Sequence, residues 1–249
     1  VHDDGTLNQI AAILRPIERY VGSALRTGAY ALQTWSPRSG LDLRFGGRAD
    51  HHEWSPSTAW TPFASLATNL PGQFRLSLAW SQAAQFAEPR QYLSPVRRNW
   101  SAQRSNHASV ILERPLGERN RLRFELFERR DKDLLFRPLD EARLLGTRLI
   151  PGLTPAPWES SLHGRVRGWQ AMWQGRSANG LTGWVAYTYA KTNQTDRVTG
   201  ASFISDFDIR NQVQAFLSYR LRPTINVSGR FAWATGLPMP GWFETRGAD

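Results

Sequence analysis

Leu41-Asp42-Leu43-Arg44-Phe45-Gly46-Gly47-Arg48-Ala49-Asp50 decides the fold. Leu41, Leu43, Phe45, Gly47 and Ala49 fall on one face of an extended chain, and Asp42, Arg44, Gly46, Arg48 and Asp50 on the other. A period of two this strict describes a β-strand with one apolar and one wet side. Phe74, Leu76, Leu78 and Trp80 repeat it against Arg75, Ser77, Ala79 and Ser81, directly after the turn Pro71-Gly72. Val213, Ala215, Leu217, Tyr219 and Leu221 oppose Gln212, Gln214, Phe216, Ser218 and Arg220. Across Arg222-Pro223 a hairpin partner follows, with Ile225, Val227, Gly229, Phe231 and Trp233 against Asn226, Ser228, Arg230 and Ala232. Less regular stretches at 27–35, 58–66, 105–114, 121–129, 162–174 and 181–191 bring the expected strands to ten.

The connections between these stretches alternate in length. Links at 36–40, 69–73, 116–120, 175–180 and 221–224 are short and hold the Pro, Gly and Asn of tight turns. Those at 50–57, 84–104, 131–160 and 192–205 are longer and richer in charge. Membrane barrels sort their loops in this way, because successive strands alternate direction and every second connection lies on the short-turn side. The expected class is all-β, an antiparallel up-and-down transmembrane β-barrel, of which these ten strands form a part.

Composition agrees with that class. Trp 11, Phe 12 and Tyr 6 make the 249-residue chain rich in aromatics. Mean hydropathy is only -0.47, and no run approaches the ~20 apolar residues of a transmembrane helix. Barrel strands need apolar residues only at alternate positions, so a soluble-looking average is what such a wall gives. Cysteine is absent, which removes disulfides and thiolate metal sites. The net charge of +10 comes almost wholly from arginine, Lys132 and Lys191 being the only lysines. This bias suits anionic surroundings such as lipopolysaccharide phosphates or an acidic ligand.

Polar and aromatic side chains refine the expectation. In 121–129, Arg121, Arg123, Glu125 and Arg129 share the wet face, an arrangement costly in a dry core but cheap facing a water-filled or plugged lumen. Trp35, Trp60, Trp80, Trp173, Trp184, Tyr219 and Trp233 fall near strand ends on faces that read as outward, as aromatics of a membrane interface do. Residues 1–26 are expected to be a lead-in or the tail of a preceding strand, since Pro16 interrupts the near-helical spacing of Ile10, Ile13, Leu14 and Ile17. Residues 27–249 are expected to be barrel. No leader-like segment surrounds Val1 and the end at 243–249 is polar, so the chain is expected to be truncated at both ends.

Phe207-Asp208-Ile209-Arg210-Asn211, then Ser218-Tyr219-Arg220-Leu221, then Gly229-Arg230-Phe231-Ala232-Trp233-Ala234-Thr235-Gly236-Leu237-Pro238 resemble the late barrel strands of TonB-dependent outer-membrane receptors. Arg104-Ser105-Asn106-His107, the turn Leu116-Gly117-Glu118, Leu122-Arg123-Phe124-Glu125-Leu126-Phe127 and Lys132-Asp133-Leu134-Leu135 are similar to an earlier strand, turn, strand and outer loop of that family. Gly46-Gly47-Arg48-Ala49-Asp50 is similar to its Gly-x-Arg-x-Asp strand end. The resemblance implies a barrel of about 22 strands around an amino-terminal plug, location in a Gram-negative outer membrane, and uptake energised by a TonB-type periplasmic protein acting through a plug that this chain lacks. Outer-membrane lipid and lipopolysaccharide are further implied partners. The ligand class (siderophore, cobalamin, glycan or similar) stays open.

No catalytic constellation stands out. Ser160, Ser161 and His163 lack a nucleophile elbow, and His51 and His52 would point to opposite faces. Asp131, Asp133, Asp140 and Glu141 read as solvated loop charge. Accordingly no enzyme activity, metal or cofactor is expected. The candidate ligand-binding residues are Arg44, Arg48, Arg75, Arg123 and Arg230 on the wet face, with Trp54, Trp100 and Trp158 in long loops, because guanidinium forks suit carboxylates or phosphates and exposed indoles suit sugars or apolar scaffolds. Two other readings exist: a soluble basic β-protein binding nucleic acid or polysaccharide, and a plug-less porin or adhesin barrel. Nucleic acid is not the expected partner, because the arginines are dispersed at strand spacing and not gathered into a patch.

Overall fold

The computed structural model describes residues 22–92, 100–137, 143–145, 148–150 and 158–238. The segment around Ile10 to Ile17, together with Asp140 and Glu141, lies outside them. Ten long strands follow in order: β1 (Arg26–Arg38), β2 (Leu41–His52), β3 (Ala59–Leu70), β4 (Phe74–Gln85), β5 (Gln103–Leu116), β6 (Asn120–Phe136), β9 (Glu159–Arg176), β10 (Leu181–Asp196), β12 (Asn211–Arg222) and β13 (Ile225–Ala234). Three short ones sit in the long connections: β7 (Arg143–Leu145), β8 (Arg148–Ile150) and β11 (Ser202–Ile204).

Each long strand pairs antiparallel with the next, giving the path β1-β2-β3-β4-β5-β6-β9-β10-β12-β13. β11 folds back on the end of β10, while β7 and β8 form a separate hairpin. This is the up-and-down topology expected from loop lengths. Gly40 and Gly117, with φ of +77° and +66°, close two of the short turns in a conformation that side-chain-bearing residues avoid.

Several strands run further than their hydrophobic alternation. β6 continues past 129 to Phe136, β9 begins at Glu159, and β10 extends to Asp196. The β6 and β9 extensions pair with each other, Leu135 with Ser160 and Phe136 with Glu159, and the β10 extension pairs with β9, Thr192 with Val166. Polar and charged residues such as Arg130, Lys132, Glu159, Asn193 and Thr195 fill these extensions, so the backbone ladder continues where the apolar signal has stopped.

Register fixes two unlike faces. One row runs Leu76, Leu112, Phe124, Ala171, Tyr187, Val213 and Trp233 across seven strands. The row behind it on the other face runs Ser77, Ile111, Glu125, Gln170, Thr188, Gln212 and Ala234. The apolar face lies open, with Trp35, Phe45, Trp60, Leu126, Leu217 and Phe231 all about half exposed or more. Among the described residues, the buried apolar side chains gather mainly at the long-loop end, not between sheet layers. Along β10 this face is apolar or aromatic from Leu181 to Tyr189, nine residues, the length a tilted strand needs to cross a bilayer. The cleft of about 520 Å³ walled by Phe74, Leu112, Leu122, Phe124, Trp173 and Val185 opens on it.

The polar face carries its own packing device. Phe63 lies over Gly46 and Phe127 over Gly168, each ring on the strand paired with its glycine. A Cβ at Gly168 would collide with the Tyr189 carbonyl oxygen and the Phe127 ring, so only glycine fits.

Leu112→Arg, midway along the apolar band, is expected to destabilise folding into lipid vesicles by about 2–4 kcal/mol. Ser77→Arg, on the polar face one row away, is expected to cost under about 1 kcal/mol. Denaturant titration of the intact protein in vesicles checks the contrast, and equal costs would mean that the two faces do not meet different solvents.

Candidate functional site

All five sequence-selected arginines lie on the polar face, and four of them bond to polar groups on their own strand or on a nearby one. Arg48 grips Asp50 with two hydrogen bonds of 2.6 and 2.7 Å, and Arg26 reaches the same carboxylate at 3.4 Å. Arg75 bridges from β4 to Asp42 on β2 and donates to Asn69 Oδ1 at 2.9 Å. Arg123 donates to Glu125 at 2.8 Å, and Arg230 to Gln214 at 3.3 Å. Arg44 sits across the ladder from Ser65. Further pairs, Arg121 with Glu113 and Arg129 with Asp131, continue the pattern.

The result is a wall of alternating charge in which most guanidiniums are half exposed. Exposed ion pairs contribute about 0–1 kcal/mol each. These arginines can therefore exchange an in-wall carboxylate for one on a ligand or a covering domain at little cost. A second cleft of about 520 Å³ opens at the short-turn end of the wall, walled by Arg121, Gln174, Arg176, Thr182, Trp184 and Phe216.

Trp54, Trp100 and Trp158, from three separate long connections, come together in one cluster with Ala87, Tyr92 and Leu135. Tyr92 belongs to α1 (Pro89–Tyr92), a single turn of helix. Trp54 meets the Tyr92 ring edge-on at 5.9 Å, and His52 stacks on Tyr92 at 5.5 Å and meets Phe86 at 5.4 Å. The Arg137 guanidinium covers Trp158 at 4.5 Å. Trp100 is only 6% exposed, so the expected exposed indole is here a buried packing element. Trp54 and Trp158 keep partial exposure. Among the described residues this cluster is the nearest thing to a conventional core, and it ties together the parts of the long connections that contribute to it.

Two ionisable groups mark this end. Burial, then the nearby Arg26 charge, hold the His52 imidazole below its ordinary pKa. Asp196 is fully buried, which would raise its pKa, yet the Thr199 hydroxyl at 2.6 Å and the Val198 N–H at 3.1 Å hold it below the usual carboxylate range. That aspartate closes the β10–β11 turn.

Of the seven aromatics selected from the sequence, six lie on the apolar face of the sheet: Trp35, Trp173 and Tyr219 near the short turns, Trp60, Trp80 and Trp233 near the long loops. Trp184 is the exception. It pairs with Gln174 and Phe216 on the polar face, because its strand is in phase with Val185, Tyr187 and Tyr189. Sequence reasoning also passed over Trp169, Tyr187 and Tyr189, which line the apolar face with ring contacts of 5.1 Å between Trp169 and Tyr187 and 5.9 Å between Trp169 and Phe124. The signal was present: Trp169 stands four residues before Trp173, in the same strand phase.

A one-sided apolar sheet with short turns at one end and long loops at the other defines a portion of a transmembrane β-barrel. Solved structures agree. The ferripyoverdine receptor of the outer membrane of Pseudomonas aeruginosa superposes on 85% of this chain and 28% of its own, with a TM-score of 0.61 and 14% identity. The alcaligin outer-membrane receptor of Bordetella pertussis matches over 86% of this chain and 38% of its own, at a TM-score of 0.56 and 16% identity. For the FrpB iron transporter of Neisseria meningitidis the values are 83%, 32%, 0.59 and 17%. No family model and no curated protein matches the sequence. The fold is thus that of part of a β-barrel of the kind these outer-membrane proteins form, and the chain spans about a third of their length. By name they are receptors and a transporter.

Trp100→Ala is expected to remove about 3–5 kcal/mol of local packing and to expose the loop residues at 53–58 and 86–92 to limited proteolysis, while the membrane strands stay protected. Loops as resistant as in the parent would mean that the cluster does not hold them. Because the folded pKa of His52 is depressed, its contribution is present above the unfolded value of about 6.5 and is lost as pH falls through that value towards the lower folded one. Acidification from about pH 7.5 to 5 should therefore loosen the loops, and His52→Gln should flatten that dependence, followed by tryptophan fluorescence.

Proposed function

We propose that this chain is barrel wall of an outer-membrane receptor that takes up a scarce ligand, with a ferric chelate as the first class to test. The observation that carries this reading is the strict separation of faces: charged pairs line one side of a sheet whose other side is an apolar band nine residues tall along β10. In this reading the polar face encloses a plug, and a TonB-type periplasmic protein acts on that plug to drive uptake. Trp35, Trp60, Trp80, Trp173, Tyr219 and Trp233 sit at the two bilayer interfaces. Arg44, Arg48, Arg75, Arg123 and Arg230 offer guanidinium forks to anionic groups of the ligand or plug.

The ligand class rests on the three receptors above, whose names couple them to pyoverdine, alcaligin and iron. A soluble nucleic-acid binder gains no support, since the polar-face arginines are tied mainly to neighbouring acids and the opposite face is apolar.

The intact protein is expected to fractionate with outer membranes, to migrate faster on gels unheated than boiled, and to support uptake of ⁵⁵Fe-labelled siderophores that stops when a protonophore collapses the proton gradient. Recovery as a detergent-free soluble monomer would overturn the barrel reading. Outer-membrane insertion with uptake insensitive to the protonophore would leave a passive porin.

A further inference from the structure

The apolar face ends abruptly at the long-loop end. Above the row Val110, Leu126, Trp169 and Tyr189, the next outward row is Ala108, Glu128, Arg167 and Lys191, and the one after it Asn106, Arg130, Arg165 and Asn193. Arg104 and Lys132 complete the patch across the β5–β6 ladder. Six cations on four adjacent strands thus surround one carboxylate. Arg165 donates to both Glu128 oxygens at 3.1 Å, Arg167 to one at 2.8 Å, and Arg130 to the other. The guanidiniums remain accessible, with Arg130, Arg165 and Arg167 side chains 62%, 44% and 60% exposed. Both lysines of the 249-residue chain stand in this patch.

We infer that this patch binds the phosphate groups of lipid A in the outer leaflet. Three features select that occupant. The patch lies on the apolar face, not the polar one, so its ligand must tolerate a hydrocarbon neighbour. Trp169, Tyr187 and Phe124 lie within the two rows below it, placing the cations one strand step beyond the aromatic level where a bilayer passes into its headgroups. A guanidinium has five donors and Glu128 takes one or two from each, leaving forks for phosphate oxygens. Glu128 holds three arginines together that would otherwise repel one another, and so presents them as a set.

This inference rests on the barrel reading and is tested apart from it. The purified intact protein is first checked for heat-modifiable migration; failure there removes the barrel reading itself. Native mass spectrometry then follows binding of bis-phosphorylated lipid A and of its dephosphorylated form. Phosphate-dependent binding is expected, weakened about fivefold for each basic residue removed, hence about 25-fold in Arg165→Gln/Arg167→Gln. Lys132→Gln/Lys191→Gln, which leaves the Glu128 ion pairs intact, should weaken it similarly and covers the case in which the first variant misfolds. Arg38→Gln, at the short-turn end, should leave binding unchanged. Equal binding of the dephosphorylated lipid, equal weakening by Arg38→Gln, or full competition by inorganic pyrophosphate would each overturn the assignment.

Discussion

The unbroken antiparallel ladder is the constraint on which the rest depends. Within hydrocarbon no water is at hand for an unpaired N–H or C=O, and each such group costs several kcal/mol. The ten long strands meet this requirement in sequence order, each neighbour in the chain being the neighbour in the sheet. Of these ten described strands, β1 and β13 present the open edges, and all their residues are exposed. In a bilayer those edges need pairing partners, so the sheet is complete only within a larger closed wall.

Once the ladder is continuous, a single phase choice sorts every side chain. A slip of one residue in any pair would exchange Leu76, Leu112 and Phe124 for Ser77, Ile111 and Glu125 on the bilayer side. The pairs Gly46 with Phe63 and Gly168 with Phe127 help to pin that phase, because each ring fills the space its glycine leaves. Cross-wall ion pairs such as Arg75 with Asp42, two strands apart, add a check that no single hairpin could supply. Polar-face charge and apolar-face grease therefore specify the same register from opposite sides.

This explains what could be read from the sequence and what could not. Where alternation is strict, as in 41–50 and 225–233, strand, face and partner were all legible. Trp184 was misplaced because 181–191 holds Trp184, Val185, Tyr187 and Tyr189 together, so that hydrophobicity alone does not choose a phase; pairing with β9 and β12 does. Strand extensions in β6, β9 and β10 were missed because they are rich in polar and charged residues and mimic loop. The assembly of Trp54, Trp100 and Trp158 was illegible for another reason. They are 46 and 58 residues apart in the chain, and only the closing of successive hairpins brings their loops to one end.

The two ends of the wall differ in what holds them. Short turns need only glycine and proline geometry, so that end is fixed locally. At the long-loop end the backbone leaves the ladder, and order there depends on buried aromatics, the His52–Tyr92 stack, and the hydrogen bonds into Asp196. Such contacts can be rearranged without breaking the sheet, since none of them is part of the strand register. Recognition can therefore diversify in the loops while the wall keeps its phase. That separation accounts for a fold retained at 14–17% identity in receptors with different ligands.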